Sequence, residues 1–313
     1  MFQYSVRRIL QSIPILLVVL TLVFVVVRVL PGDPAVAALG DYASKEAVNA
    51  LREKMGLNIP LWLQYFRFLG DLCKGNLGKS IITGYPVASQ IVKALPYTLE
   101  LTLSAIFIGY LLGIPLGIPA AVRRNSLIDY FNRVFSLLGL SIPAFYLGIL
   151  LMLIFSLKLK LFPVVGGGDL SSLSSNLRHL FLPTLSLGLI MTAYITRMTR
   201  SSLLNILRED YVRTARSKGI TERVVLFKHA LRNALIPIVA LGGVYAIVLI
   251  GSSVMTEIVF SRPGLGSLMV GAIKQRDYTT LQSVMVIYSV IVVILNLLTD
   301  LVYGFIDPRI QYK

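Results

Sequence analysis

The sequence predicts an all-α membrane protein with six transmembrane helices, and three observations carry that prediction. Hydrophobic residues make up 56% of the 313 residues, only 14% are charged, and the mean hydropathy is +0.77. Several uncharged apolar runs reach the length of about 20 residues that a helix needs to cross a hydrocarbon core. The alternating ten-residue segments of an outer-membrane barrel do not occur. This composition excludes soluble globular, disordered and collagen-like classes.

Six apolar runs define the predicted spans, and the fourth is the shortest. They cover residues 9–27, 97–122, 134–157, 180–195, 235–260 and 281–306. The chain then divides into a first transmembrane helix (1–30), an outer loop region with short helices (31–96), and a five-helix core (97–313) that includes an inner loop at 205–237.

The first run also resembles a secretory signal peptide. Arg7 and Arg8 precede it, and the small residues 35–37 follow it. The stretch 9–30 is interrupted only by Arg28, and it is longer than the apolar region of a signal peptide. We therefore expect a retained first helix.

Orientation follows from the distribution of cations. An even number of spans places both termini on one side, and Lys and Arg are denser in the segments on that side. Most of this bias comes from residues 197–232, which carry nine Lys and Arg. The positive-inside tendency makes that side the cytoplasm. The net charge of +15 is then explained by Lys and Arg side chains that lie beside lipid headgroups, and not by binding of nucleic acid.

The outer region is predicted to contain two short helices. Ser44 can cap the first and Gly56 can end it, while the second begins after Pro60. Apolar residues recur at helical spacing on both: Ala47, Val48, Leu51 and Met55, then Trp62, Tyr65, Phe66 and Leu69. We expect the aromatic stripe to pack against the bundle or the bilayer surface.

Gly109, Gly113 and Gly117 recur at four-residue spacing in the second span. Such a ridge clears one helix face and lets another backbone approach closely. The sequence predicts helix packing there, with the partner in the same chain or in another subunit. Proline at 115, 119, 143 and 237 predicts bends in the spans.

Candidates for catalysis or metal binding are scarce. Cys73, His179 and His229 are the only residues of their types, so we expect no disulfide, no metal site and no cofactor of the chain's own. The intramembrane carboxylates Glu100, Glu257 and Asp300 lie near span ends, and we expect them to be hydrated or paired at the interface. No HExxH motif or catalytic set occurs.

The inner segment 197–237 is the least lipid-like stretch on its side, with nine cations and three acids. We predict a helix that ends at Gly219 in the left-handed conformation, and a second helix capped by Thr221. An apolar face of the second helix is predicted from its spacing: Val224, Phe227, Leu231 and Ala234. Such a hairpin can lie on anionic headgroups or insert into a protein cleft.

The segment 209–237 resembles the cytoplasmic EAA loop of ABC-transporter permeases, in the version found in dipeptide and oligopeptide importers. Other stretches are similar to the same family, in order along nearly the whole chain. They are Leu30-Pro31-Gly32-Asp33-Pro34, Gly75-Asn76-Leu77-Gly78-Lys79-Ser80, Arg262-Pro263-Gly264-Leu265-Gly266, Arg276-Asp277-Tyr278 and Asp307-Pro308-Arg309. Aligned on Gly219, residues 213–215 stand where Glu-Ala-Ala is expected, so Glu209 or Asp210 would have to cap the helix.

The resemblance implies a MetI-like type I importer permease fold and a non-catalytic subunit of a bacterial or archaeal cytoplasmic membrane. It would form half of an alternating-access pathway for di- or oligopeptides. The implied partners are a second, homologous permease in a heterodimer, two ABC ATPases that bind the ATP, an extracytoplasmic substrate-binding protein and the lipid bilayer. The implied ATPase-coupling residues are Asp210, Tyr211, Arg213, Thr214, Ala215, Arg216, Lys218 and Gly219.

The chain itself lacks a nucleotide-binding motif. Gly78-Lys79-Ser80 ends like a P-loop, but Cys73 stands where that loop requires glycine. Alternatives remain within and outside the family: a permease for nickel, glutathione or oligosaccharides, a secondary transporter, an intramembrane enzyme, or a structural assembly subunit. A secondary transporter is disfavoured because midplane charges are few and no inverted repeat is seen.

Overall fold

A computed structural model describes residues 2–29, 34–39 and 43–306, and most of these residues are helical. Within them no strand forms beyond an isolated bridge between Lys79 and Pro86. The helices are α1 (Phe2–Val29), α2 (Pro34–Leu39), α3 (Lys45–Lys54), α4 (Leu61–Cys73), α5 (Val87–Val122), α6 (Leu127–Ser141), α7 (Ala144–Lys158), α8 (Leu173–Ile206), α9 (Asp210–Ser217), α10 (Glu222–Val259), α11 (Leu265–Lys274) and α12 (Tyr278–Ile306). The motifs at residues 30–33 and 307–309 lie outside the described residues.

In the described ranges, five helices are long and apolar enough to cross a membrane: α1, α5, α8, α10 and α12. The pair α6 and α7 makes a sixth candidate if the two count as one broken span. The predicted all-α membrane class is confirmed.

The third predicted span is wrong as a single helix. The axes of α6 and α7 meet at 102°, and the helix breaks at Ile142, whose ψ is 124°. The residue before a proline is pushed out of the α region, because the ring of Pro143 crowds its backbone. The apolar run at residues 134–157 therefore forms parts of two helices that point in different directions.

The fourth span extends well beyond the predicted residues 180–195. In the sequence the apolar run lies between His179 and Arg197, because the charged residues Arg178 and Arg197 mark its two ends. The helix continues past them on both sides, from Leu173 to Ile206, and its apolar stretch is covered mainly by protein. The helix is therefore longer than the apolar run that indicated it.

The described chain divides into two compact units. The first comprises residues 1–8, 99–262 and 294–313, and α8 is its central helix, with α6, α7 and α10 packed on it. Leu187, Met191 and Ile195 of α8 belong to its main apolar core.

The glycine ridge of α5 lies against α8 within the first unit. A Cβ atom added to Gly113 would stand 2.7 Å from Cβ of Ile195, and one added to Gly117 would stand 2.6 Å from Cβ of Thr199. At Gly109 the added atom would collide with the side chain of Met191. The ridge thus brings two backbones together inside this chain.

The second unit comprises residues 9–98 and 263–293. Its outer helices begin as predicted: the Ser44 hydroxyl accepts a bond from the Ala47 amide at 3.2 Å, and Gly56 ends the turn with φ +66°. Val87, Leu265 and Val284 form a core that joins α5, α11 and α12.

The aromatic stripe of α4 does not share one environment. The Tyr65 hydroxyl hydrogen-bonds the Thr21 hydroxyl at 2.7 Å, and its ring packs edge-on against Phe24 of α1. Trp62 and Phe66 are 64% and 62% exposed. The expected single stripe is thus divided: Tyr65 and Leu69 face α1 together with Phe68, whereas Trp62 and Phe66 lie at the flank of that contact.

Candidate functional site

The candidate site is the basic hairpin, defined as residues 205–237. It consists of the end of α8, the short helix α9, a turn at 218–221 and the first part of α10. The second helix of the hairpin is continuous with the fifth span, so a displacement of the hairpin acts directly on a membrane-crossing helix.

The turn after α9 is a glycine-terminated helix end. Gly219 has φ +75°, which confirms the predicted left-handed conformation. Its amide donates to the Arg216 carbonyl at 2.9 Å, and the Ile220 amide donates to the Ala215 carbonyl at 3.3 Å. These are the two bonds of a Schellman motif, which satisfies carbonyls that the helix end would otherwise leave unpaired.

Capping at the two helix starts differs from the prediction. Thr221 does begin α10, but its carbonyl, not its hydroxyl, accepts the first bonds, from the amides of Val224 and Val225. Glu209 occupies the cap position of α9 without a side-chain bond. Asp210 lies in the first turn, where its charge favours the helix dipole.

The predicted apolar face of the second helix is correct at one end and wrong at the other. Ala234 is buried and Leu231 is half-buried as predicted, but Val224 and Phe227 are 40% and 52% exposed, and Val225 and Ala230 are buried in their place. Residues 225–231 are wound as a π-helix, in which each turn holds more residues than in an α-helix. The inward register therefore shifts away from the spacing that an α-helix predicts.

A small apolar core holds the hairpin together. Val212, Ala215 and Val225 are buried in it, and Ile206, Leu207 and Ile220 pack around them. Ala215, one of the proposed coupling residues, is only 7% exposed, so its side chain supports the hairpin from within.

An ion pair across the turn of the hairpin and a hydrogen bond at its base connect its two helices. Arg216 donates to the Glu222 carboxylate at 3.0 and 2.6 Å, and this hydrogen bonding raises the pKa of the Arg216 guanidinium. At the base, the Asn233 side-chain amide donates to the Tyr211 hydroxyl at 2.8 Å. The two helices of the hairpin are thus joined at both ends.

The remaining candidate residues lie on the surface of the hairpin. Seven of the eight are exposed: Asp210, Tyr211, Arg213, Thr214, Arg216, Lys218 and Gly219. Three of them are cations, and Arg213 approaches Asp210 at 3.6 Å. The structure therefore groups a compact, mainly basic and exposed surface around one supported helix end.

Buried ion pairs are the polar features that sequence reasoning missed. Arg262 is fully buried; its guanidinium donates to Glu100 at 2.8 Å and to the Gly167 carbonyl at 3.1 Å. Asp129 of α6 pairs with both Arg133 and Arg200, the latter on α8. Arg262 and Glu100 are 162 residues apart and Arg200 and Asp129 are 71 apart, so no local pattern could have matched them, whereas the Asp129–Arg133 spacing of four residues is local.

The three intramembrane carboxylates differ in environment. Glu100 pairs with Arg262, and Asp300 pairs with Arg8 at 3.4 Å, as expected for helix-end residues. Glu257 is fully buried, unlike the other two. Among the described residues, no group of three His, Cys, Asp or Glu side chains is placed to hold a metal ion.

Several helices long enough to span a membrane, with an exposed basic hairpin continuous with one of them, are typical of the membrane subunit of a transporter. Comparisons with known proteins identify the class. The family of binding-protein-dependent transport system inner membrane components matches residues 113–312, and its N-terminal counterpart matches residues 1–102. The chain belongs to this family and is a permease subunit of an ABC importer.

Several relatives match over their whole length and over all of this chain. The dipeptide transport system permease protein DppB of Alkalihalophilus pseudofirmus is 38% identical. The oligopeptide transport system permease protein AppB of Bacillus subtilis and the glutathione transport system permease protein GsiC of Pectobacterium atrosepticum are each 41% identical.

The fold is also found in a solved structure. The inward-facing MetNI methionine ABC transporter matches with a TM-score of 0.56 at 20% identity, over 70% of this chain and 96% of that one. The predicted MetI-like fold is confirmed. The chain is a multi-pass inner-membrane protein, permeases of its family work with ATPase and substrate-binding protein partners, and ATP hydrolysis belongs to the ATPases.

Proposed function

We propose that the basic hairpin is the coupling element through which cytoplasmic ATPases drive this permease. The observation that carries the proposal is the combination of an exposed cationic surface with an internal core at Val212, Ala215 and Val225. A hairpin that lies passively on lipid needs no core of its own. A lever must be stiff, and its second helix here continues without a break into a spanning helix.

The proposed assembly contains two permeases, two ATPases and one external binding protein. This chain pairs with a second, similar permease, and each contributes half of the translocation pathway. The outer region (31–96) faces the binding protein, and the core (97–313) forms the pathway. Both termini and the basic hairpin are on the cytoplasmic side of a bacterial or archaeal membrane, in keeping with the nine cations of residues 197–232.

In the proposed cycle, closure of the ATPases on ATP moves the docked hairpin and turns the pathway outward. Substrate then enters from the binding protein, and hydrolysis resets the bundle. The hairpin transmits this change only if its docking free energy differs between the two ATPase states. The glycine ridge of α5 keeps α5 and α8 in close contact, so these two helices move together.

We propose di- or oligopeptides as the cargo. Full-length identity of 38 to 41% to a dipeptide and an oligopeptide permease supports this class. Glutathione is the second candidate, because a glutathione permease is 41% identical. Nickel and oligosaccharides remain family alternatives without a comparable observation.

The proposal is tested with Gly219→Val in the assembled transporter. Valine in the left-handed region is strained by about 1 to 2 kcal/mol, and no neighbouring atom lies within 4 Å of its Cβ, so the disturbance is confined to the turn. We expect substrate uptake to fall at least tenfold while the permease stays inserted and ATP hydrolysis continues. Uptake and ATPase activity are measured on the same proteoliposomes.

The matched control is Gly84→Val in the outer region. Gly84 has φ +71° and is equally free of neighbours, so the substitution imposes the same strain elsewhere. We expect uptake near that of the unmodified protein. Equal uptake by both variants, or failure of ATPases to co-purify with the detergent-solubilised permease, would contradict the coupling role.

A further inference from the structure

A cavity of about 400 Å³ lies in the second unit. The end of α1, the helices α3 and α4, the loop at 76–78 and the start of α12 surround it. Its volume is in the range of small-molecule sites in proteins. Neither the coupling mechanism nor the resemblance uses these residues as a site.

The charges that line this cavity balance. Arg28 and Arg67 supply two cations, and Glu53 and Asp71 supply two carboxylates. Arg28 is partly buried at the end of α1, whereas Arg67, Glu53 and Asp71 are exposed. A simple anion would meet the two carboxylates as well as the cations, and a simple cation would meet the two guanidinium groups. A molecule with both charges fits the lining best.

Two buried polar atoms of lining residues have no hydrogen-bond partner among the described residues. One is Nε of Arg28, a donor, and the other is Oε1 of Gln64, an acceptor. The Gln64 amide cannot simply be reversed, since its Nε2 already donates to the carbonyls of Ile59 at 2.8 Å and Leu57 at 3.3 Å. Gln64 is 8% exposed, so an unpaired oxygen there costs free energy.

Arg28 is held in place without an ion pair among the residues that the structure describes. Its guanidinium lies 5.3 Å from the centre of the Phe24 ring, which orients the side chain by a cation–π contact. A guanidinium presents several N–H donors in a plane that matches a carboxylate or a phosphate. The lining therefore offers an oriented cation to an anionic group, and a donor reaches the almost fully covered Oε1 of Gln64 after a small shift of the neighbouring side chains.

From this arrangement we propose that the cavity binds a small zwitterion, with its anionic group at Arg28 and its primary ammonium group directed to Gln64 and the carboxylates of Glu53 and Asp71. The ligand is either a lipid headgroup of the ethanolamine type or a free amino compound with a carboxylate or phosphate. The inference does not depend on the coupling role of the hairpin, because binding is measured without ATP or transport.

The experiment uses the full-length permease, with any partners that co-purify, in phosphatidylcholine nanodiscs. Phosphoethanolamine and glycylglycine are titrated by calorimetry, and phosphocholine, whose ammonium group has no N–H, is the mismatched probe. We expect binding of at least one of the first two probes, and at least tenfold weaker binding of phosphocholine. Native mass spectrometry after exposure to phosphatidylethanolamine then separates the sources: retained lipid identifies the headgroup, and binding of soluble probe alone identifies the free compound.

Arg28→Gln should weaken binding of the best probe at least tenfold, and Asp71→Asn should weaken it less, because Asp71 is exposed. Lys74→Gln is the matched control: it removes one cation just after α4, outside the cavity lining, and should leave affinity unchanged. Thermal unfolding of each variant verifies that it is folded. No binding of any zwitterion or of the lipid, equal affinity for phosphocholine, or equal loss in Lys74→Gln would each overturn the proposal.

Discussion

Arg262 is the largest side chain that is fully buried in the described part of the chain, and Glu100 balances its charge at 2.8 Å. Removing one partner of such a pair leaves an uncompensated charge in a low-dielectric environment. Removing one partner therefore changes the free energy of unfolding more than replacing both partners by apolar residues would.

At the residue scale, Glu100→Ala should lower the free energy of unfolding by about 3 kcal/mol, near the lower end for a buried pair because Glu100 is itself 30% exposed. A lower Tm of the detergent-solubilised protein is the measurement. Arg213→Ala serves as the comparison, because it breaks a pair that is 76% and 95% exposed and should change stability by less than about 1 kcal/mol. Equal shifts would show that Arg262 finds another partner.

Two residues of the hairpin show which features neighbouring residues in the sequence can predict and which they cannot. Gly219 was predictable, since a glycine after a helical run satisfies a backbone requirement that the neighbouring residues alone impose. The burial of Val225 in place of Val224 was not, because the π-helical winding of residues 225–231 depends on packing in the hairpin core.

At the element scale, the contact between α5 and α8 depends on the absence of side chains at the glycine ridge. Gly113→Ala should destabilise the protein: alanine gains up to about 1 kcal/mol in helix propensity, but overpacking against Ile195 costs about 1 to 3 kcal/mol. Gly70→Ala in α4 has no atom within 4 Å of the new Cβ, so it should be neutral or stabilising. Thermal unfolding distinguishes the two, and a stable Gly113→Ala would argue against tight packing.

The elements that sequence analysis misjudged share a physical cause. Apolar run length locates helices that face lipid, and α1, α5, α10 and α12 were found from it. The length of α8 was underestimated because the apolar run ends at Arg197, whereas the helix continues to Ile206. The break between α6 and α7 was hidden because both halves are equally apolar, although Pro143 marked its position.

At the scale of the whole molecule, the proposed topology has a direct test in the single cysteine. Cys73 is exposed and lies in the outer region, so a membrane-impermeant maleimide should label it in intact cells. In a Cys73→Ser background, Lys218→Cys on the basic hairpin should be labelled only after the membrane is permeabilised. Labelling of the hairpin residue in intact cells would show that the hairpin lies outside the cell. It would then contradict both the proposed orientation and the coupling role.

The sequence by itself determined the membrane class, the positions of most spans, the helix end at Gly219 and the family motifs, because each depends on local composition or on neighbouring residues. Only the tertiary structure decided that the α5 glycines meet α8, that Arg262 pairs with Glu100, and that Ala215 supports the hairpin from inside. These features join residues distant in the chain or depend on which helix face is covered. Their free energy comes from contacts that no local pattern records.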